Sequence, residues 1–375
     1  MPVSKPARPA SRRPPGRGAY LLARLCAVLL LWAAGPAAAQ SARCSLSEES
    51  VLSLFRDRYS VQVSAFAQLQ YAAGITAAGL AKSEFSVPRA RICASGHALT
   101  HRLRYRLMIG RSIQREIEVN DAFAEWEPVD GLALRLGRFK LPVIREWIES
   151  ARPLATIDRS LASRLLLPGR DYGASVSGRI VRGHLAYLLG VFNGDGDAAT
   201  RAADTSPAVV ARLGLHLGAA PWSGAVDFAG SAPAASLEAG LLWNRWRPPS
   251  VLATSAQVED QLWNAAAALR WAHLDAAAEY IGQRRADPQK VTWTHAGYVR
   301  LTCFLPRLLS SVTGRASVVE VRGDAPSQQV EAEADWGLYL DRHRVKAVLR
   351  YAALVDVTRA LTEHQLGLQV QIAVY

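Results

Sequence analysis

Apolar and polar residues alternate over long parts of this 375-residue chain. Between residues 61 and 71 every odd position is apolar, and every even position except Phe66 is polar. The same alternation returns in four further segments, residues 102–109, 330–338, 344–351 and 365–374. A period of two is typical of a β-strand whose successive side chains point to opposite faces. The sequence therefore predicts long strands, each with one apolar and one polar face.

The first 39 residues have the organisation of a secretory signal. A basic, proline-rich region precedes an apolar stretch at residues 25–34, which is too short for a membrane helix of about 20 residues. Ala37 and Ala39 then provide a cleavage site of the small-x-small type. We therefore expect residues 1–39 to be a cleaved signal peptide, with the mature chain starting near Gln40.

The formal charge of +12 suggests a nucleic-acid partner until it is divided by region. Six of the 44 basic residues and none of the 32 acidic residues lie in residues 1–40, which leaves 38 bases against 32 acids, or +6. Half of the excess thus belongs to the export signal. No nucleic-acid partner is predicted.

Beyond Gln40 no apolar stretch reaches the length of a membrane helix. If this exported protein lies in a membrane, it must do so as a closed barrel, because only helices and closed barrels satisfy every backbone polar group in lipid. A soluble β-sandwich shows the same alternation with its polar face outside, whereas a membrane barrel turns the apolar face outward. Alternation alone leaves both architectures open.

The lengths of the connections favour the barrel. Tight connections are predicted near residues 95–100, 127–131, 181–183, 271–274 and 340–343. Longer ones lie between them, the longest at residues 141–171 and 192–208. Short turns at one end and long loops at the other are typical of membrane barrels. One long gap, residues 218–234, falls at the short-turn end and does not fit this pattern.

The predicted fold is therefore all-β, a transmembrane antiparallel barrel of about sixteen strands with up-and-down topology. It occupies residues 60–375. Residues 40–59 form a short N-terminal periplasmic segment, in which residues 47–58 are expected to be helical because acids come early and bases late.

Five short segments carry a resemblance to a known family. They are GRFKLP at residues 137–142, REW at 145–147, DRSLA at 158–162, PGRDYG at 168–173 and VFNGDG at 191–196. In order and spacing they resemble the phosphate-selective porin O and P family. The resemblance implies a sixteen-stranded, usually trimeric outer-membrane barrel through which small solutes diffuse passively. It also implies that the third loop, here about residues 141–170, folds inward and narrows the channel.

Arginine dominates the predicted pore. The loop region holds seven bases against four acids, and further arginines alternate along two preceding strands. The candidates for the anion path are Arg89, Arg91, Arg102, Arg104, Arg106, Arg138, Lys140, Arg145, Arg159 and Arg170. Arginine offers a planar, permanently charged set of donors that can replace the hydration of an oxyanion such as phosphate. The partners expected are small anionic solutes, outer-membrane lipid and two further copies of the chain.

These arginines have an alternative role as braces of the barrel wall. Asp121 and Glu125 lie on the strand that follows the arginine-rich one, and a run of acids at residues 331–335 faces bases at residues 344–350. Ion pairs between neighbouring strands would hold the wall together without binding solute. The sequence does not decide between the two roles.

Other chemistry has little support. The three cysteines after the signal, Cys44, Cys93 and Cys303, are no disulfide framework, and no spacing resembles a metal site. No cofactor, metal or catalytic residue is predicted. Two other classes remain as alternatives, namely a secreted soluble β-protein that binds an anionic ligand and an outer-membrane barrel enzyme.

Overall fold

The computed structural model describes residues 51–52, 58–111, 117–194, 206–219, 224–246 and 258–374. Strands make up almost all of this part of the chain. They are β1 (Val51–Leu52), β2 (Val61–Thr76), β3 (Gly79–Ala98), β4 (Thr100–Arg111), β5 (Ile117–Val129), β6 (Leu132–Lys140), β7 (Arg170–Ile180), β8 (Leu185–Phe192), β9 (Ala208–Leu217), β10 (Ala234–Trp246), β11 (Val258–Trp271), β12 (Leu274–Ala286), β13 (Val291–Leu305), β14 (Ser310–Arg322), β15 (Ser327–Asp341), β16 (Val345–Asp356) and β17 (Leu361–Val374).

Strands β2 to β17 form a closed antiparallel barrel. Each strand pairs with the next in sequence, and β17 returns to β2, with Val374 opposite Ala65 and His364 opposite Ile75. The expected sixteen strands and up-and-down topology are confirmed. Closure matters because it leaves the wall without an unpaired edge.

The apolar face of the barrel points outward. In β17 the side chains of Leu368 and Ile372 are exposed on this face, whereas Gln369 and Gln371 are buried in the lumen. Aromatic side chains are also exposed on it, namely Trp126, Trp271, Trp293, Trp336 and Tyr351. A soluble sandwich would show the opposite arrangement, so the structure does not favour that alternative. No helix within the described ranges is long and apolar enough to cross a membrane.

The connections differ at the two ends, as expected. The end that holds the starts of β2 and β4, here called the turn end, has tight connections such as Ala272 and His273 between β11 and β12. Both of these residues have positive φ, 47° and 72°, as a two-residue type I′ hairpin requires. The opposite end, here called the loop end, carries the connection of residues 141–169. The exception is again the connection between β9 and β10, at residues 218–233.

The N-terminal expectations fall mostly outside the described residues. The signal peptide at residues 1–39 lies there entirely, as does most of the helix expected at residues 47–58. The two described residues at its centre, Val51–Leu52, are not helical but pair antiparallel with Gln62 and Val61 of β2. They pair with the start of β2, beyond the last residue of β17 that pairs with it. An extended segment here can satisfy backbone N–H and C=O groups of β2 that β17 does not reach.

Candidate functional site

The third loop, residues 141–169 between β6 and β7, folds into the barrel lumen. It contains two short helices, α1 (Arg145–Ile148) and α2 (Leu161–Leu165). Its residues Val143, Ile144 and Ala162 are fully buried. The inward course expected for this loop is thus present in the structure.

A carboxylate of the barrel wall holds the beginning of α1. Ile144 precedes the helix and has no side chain that could cap it. Instead Glu279 of β12 accepts the backbone N–H groups of Arg145 and Glu146 at 2.6 and 3.1 Å. Asn264 donates a further hydrogen bond to Glu279 at 2.6 Å. Unpaired N–H groups at a helix start favour a negative partner, so this contact fixes both the position and the direction of α1.

Buried ion pairs fix the rest of the loop to the wall. Arg145 binds Glu238 at 2.6 Å, and Glu146 binds Arg315 at 3.0 Å with both side chains fully buried. Further along, Arg164 binds Glu331 of β15 at 2.6 Å. These contacts reach three different strands, so the loop cannot move as a unit without breaking several charged hydrogen bonds.

The tip of the loop is held by Asp158 and by Lys346. Asp158 accepts a hydrogen bond from Arg89 at 2.6 Å. Burial tends to raise the pKa of Asp158, but Arg89, Arg164 and the N–H of Arg159 outweigh it and hold the pKa well below its ordinary value. Lys346 of β16 donates to the carbonyl of Leu154 at 2.6 Å.

The wall beside the loop carries the braces expected from the sequence. Arg350 binds Glu331 and Glu333 at 2.9 and 2.7 Å. Asp275 is shared by Arg270 and Arg300 at 2.7 and 2.8 Å. Of the bases expected to face the acids at residues 331–335, Arg350 makes these pairs. Arg344 instead turns to Asp341 at the strand end, and Lys346 donates to loop carbonyl groups.

Open space remains on the other side of the loop, along β2 to β6. A cavity of about 390 Å³ lies between this wall and the third loop. Its charged lining is six bases and one acid, namely Arg91, Arg106, Arg135, Lys140, Arg152, Arg170 and Asp121. A second cavity of about 400 Å³ continues toward the turn end and shares Arg106 and Arg135 with the first. Together they form a path with a positive excess along one sector of the barrel.

Most of the ten candidate residues have partners. Four pair with acids of neighbouring strands or turns or with the loop, namely Arg89 with Asp158, Arg102 with Asp130, Arg104 with Glu125 and Arg170 with Asp121. Arg145 is the fifth, through Glu238.

The remaining candidates divide into three groups. Lys140 and Arg159 donate to carbonyl groups of residues 146–149, and both lie with Arg170 within 5.5 Å of the ring centre of Trp147. Arg138 is buried and donates a hydrogen bond to the carbonyl of Val119. On β6 it alternates with Arg135 and belongs to the outer face of the strand, so it lies apart from the path.

Arg91 and Arg106 line the path itself. Arg91 is buried, and its guanidinium lies 5.8 Å from the ring centre of Phe66. Phe66, which interrupted the polar face in the sequence, is therefore a lumen residue. Arg106 is exposed, and it makes no hydrogen bond or ion pair with any residue in the described part of the chain. Its charge is thus available to a solute.

Two further cavity residues, Arg135 and Arg152, are not among the ten candidates, although Arg152 is one of the seven bases of the loop region. Arg135 lies on β6 between Leu134 and Leu136, so the alternation used elsewhere would have identified it as a lumen residue. It pairs with Glu125, and its guanidinium stacks 4.4 Å from the ring centre of Phe123. Arg152 carried no such signal, because it lies on the third loop, where no period indicates direction.

Comparison with known structures shows the same fold. The anion-selective porin of Comamonas acidovorans superposes with a TM-score of 0.59 at 12% identity, covering 84% of this chain and 100% of that chain. The outer-membrane channel DcaP of Acinetobacter baumannii gives 0.59 at 11% identity, covering 84% and 98%. The trimer form of OmpT from Vibrio cholerae gives 0.56 at 9% identity, covering 84% and 100%. At these identities the likeness concerns the fold alone.

Comparison of the sequence with curated proteins finds no match. Comparison with family models finds one: the model described as phosphate-selective porin O and P matches residues 67–306. The matched region runs from β2 through the third loop to the end of β13. Because it spans more than half of the chain, the protein belongs to the phosphate-selective porin O and P family of bacterial outer-membrane porins.

Proposed function

We propose that this porin conducts small anions by passive diffusion along the sector of β2 to β6. The observation that carries the proposal is Arg106, an exposed cation without a partner among the described residues, on a path lined by seven Arg or Lys side chains and two acids. No catalytic step is part of this function.

The physical basis is the replacement of hydration. An anion that enters a narrow lumen loses water, and guanidinium groups can supply hydrogen bonds in its place. Arg106 and Arg135 face both cavities, so an anion can pass from one to the other near these two groups. The low dielectric of the wall strengthens the positive potential along the path. Inorganic phosphate is one candidate solute, and the anion selectivity in the name of the Comamonas acidovorans porin agrees with the proposed charge preference.

The same proposal includes the surroundings of the barrel. We expect three copies to associate in the outer membrane, since a trimer form exists for the structurally similar OmpT of Vibrio cholerae. Exposed apolar side chains on the outer face would contact lipid where they are not covered by another copy. We also expect residues 1–39 to be removed during export.

A planar bilayer with a salt gradient tests the charge preference. The purified porin is inserted, and the reversal potential is measured with potassium chloride at two concentrations. We expect the sign that corresponds to anion preference, because bases exceed acids along the path. A reversal potential of the cation-preferring sign contradicts the proposal.

A further inference from the structure

The connection between β9 and β10 also enters the lumen, from the turn end. Of residues 218–233, the structure describes 218–219 and 224–233. Ala225, Val226 and Asp227 are buried. Arg270, a lumen residue of β11, donates to the carbonyl of Gly224 at 2.6 Å. Residues 224–233, here called the inner turn segment, therefore lie inside the barrel at its turn end and do not project out of that end.

The inner turn segment is fixed by Asp227. The carboxylate of Asp227 accepts the hydroxyl and the N–H of Ser231, both at 2.7 Å, and the N–H of His273 at 3.0 Å. Its carbonyl also bonds to the ring of His273 at 2.9 Å. Burial tends to raise the pKa of Asp227, but these hydrogen bonds and Arg270 hold it below its ordinary value. One carboxylate thus joins the segment to the neighbouring β11–β12 hairpin.

An aromatic cluster fills the space between this segment and the wall formed by β13 and β15. The ring centre of Phe228 lies 4.9 Å from that of Phe304 and 5.2 Å from that of Tyr339. The ring of His343 lies 5.0 Å away. These three residues come from β13, from β15 and from the turn after β15. Phe228 therefore contacts the wall over a width of three strands. Edge-to-face packing of this kind favours one fixed arrangement.

The inner turn segment meets the tip of the third loop. The N–H of Ala225 points to the carbonyl of Pro153 at 3.4 Å. Gly224 has a φ of +78°, and a Cβ atom there would lie 2.8 Å from the side chain of Pro153. Ala155 of the loop is buried in the same apolar cluster as Ala225 and Val226. The two segments, which enter from opposite ends, therefore touch inside the barrel.

Exposure separates the two sides of the lumen. Beside these segments the polar lumen side chains of Thr302, Ser311 and Thr313 have no exposed surface. On the opposite side Arg106 is exposed, and the side chain of Arg104 is 51% exposed. Hydroxyl groups that line a water-filled pore would be exposed, so the protein around these three side chains covers this part of the wall.

We propose that the inner turn segment is a second constriction element, which together with the third loop seals the sector of β12 to β16 and confines solutes to the sector of β2 to β6. This role does not depend on the charge of the solute. It assigns Asp227 and Phe228 as positioning residues for the pore geometry.

Thiol labelling in the folded porin tests the proposal. Single reporters are placed in a background whose native cysteines are changed to serine, with Thr313→Cys in the sealed sector and Ser95→Cys in the cavity at the turn end. A membrane-impermeant methanethiosulfonate reagent is then added to the reconstituted protein. We expect Thr313→Cys to react more than about tenfold more slowly than Ser95→Cys, because reaction requires a rarely populated open form. Equal rates in the otherwise intact chain overturn the proposal.

The double variant Asp227→Ala/Phe228→Ala supplies the converse experiment. It removes the hydrogen bonds to the hairpin and the aromatic packing while leaving the path of β2 to β6 untouched. We expect the labelling rate of Thr313→Cys and the single-channel conductance to rise, with the rate of Ser95→Cys unchanged. A folded, heat-modifiable variant with unchanged conductance and a still-protected Thr313→Cys overturns the proposal. The sign of the reversal potential is measured separately and reports on anion preference alone.

Discussion

Reversal of one charge, Arg106→Glu, should change the ion preference of the pore. The side chain is exposed on the proposed path, and no described residue pairs with it, so its replacement breaks no ion pair in this part of the structure. The substitution changes the local charge by two units. Any effect on conduction therefore reports the field at this position rather than a rearranged wall.

The size of the effect follows from Coulomb's law. Two charge units acting on a monovalent ion at about 6 Å in water amount to about 1.4 kcal/mol. With a Debye length of about 10 Å at 0.1 M salt, screening reduces this to about 0.8 kcal/mol. An anion loses and a cation gains this amount, so the permeability ratio should shift toward cations by a little over tenfold, at about 1.4 kcal/mol per factor of ten.

Reversal potentials in planar bilayers measure this shift. Gradients centred near 0.1 M and near 1 M potassium chloride should give different results, because the Debye length falls to about 3 Å at 1 M and screening then removes most of the effect. Arg102→Glu is the matched control, since Arg102 lies outside both cavities and binds Asp130 at the turn end. An equal shift in both variants, or a shift independent of salt, would refute the reasoning.

Two further predictions concern the third loop. Glu279→Gln leaves a single acceptor oxygen where two carboxyl oxygens accept the N–H groups of Arg145 and Glu146, and should lower the free energy of unfolding by about 1–2 kcal/mol. Denaturant titration of the refolded barrel measures this, and an unchanged midpoint would contradict it. Asp158→Asn should cost about 3 kcal/mol at pH 7, because it leaves the buried Arg89 without its carboxylate. Since the folded pKa of Asp158 is depressed, its contribution is complete above the unfolded value of about 3.9 and is lost as pH falls toward the folded value, so the deficit of the variant should shrink below about pH 4. A deficit at pH 2 as large as that at pH 7 would show another cause.

Much of the fold could be predicted because a barrel strand encodes its geometry locally. Lumen and outer positions alternate residue by residue. In β17, for example, Gln369 and Gln371 lie inside, and Leu368 and Ile372 lie outside. The inner turn segment could not be predicted in the same way. The sequence shows that this connection is too long for the short-turn end of the barrel. No local pattern indicates whether a connection folds into the lumen or away from it.

The candidate site divides along the same line. Alternation predicts a lumen position for Arg106, which lines both cavities in the structure, and the same pattern applies to Arg135. It could not show which arginines are paired, because the partners of Arg89 and Arg145 lie 69 and 93 residues away. The cap that Glu279 provides to α1 spans 134 residues. Such contacts depend on the closed barrel and leave no trace in a short sequence window.

The anchors of the third loop also determine when it can reach its place. Its partners on the wall come almost entirely from later in the chain, at separations of 134 residues for Glu279, 169 for Arg315, 178 for Asp335 and 212 for Gln369. Contacts that close such long stretches of chain form late. The strands from β12 to β17 must therefore be assembled before the loop can make most of its contacts with the wall. We therefore expect the lumen to be wider before the loop is anchored than it is in the complete barrel.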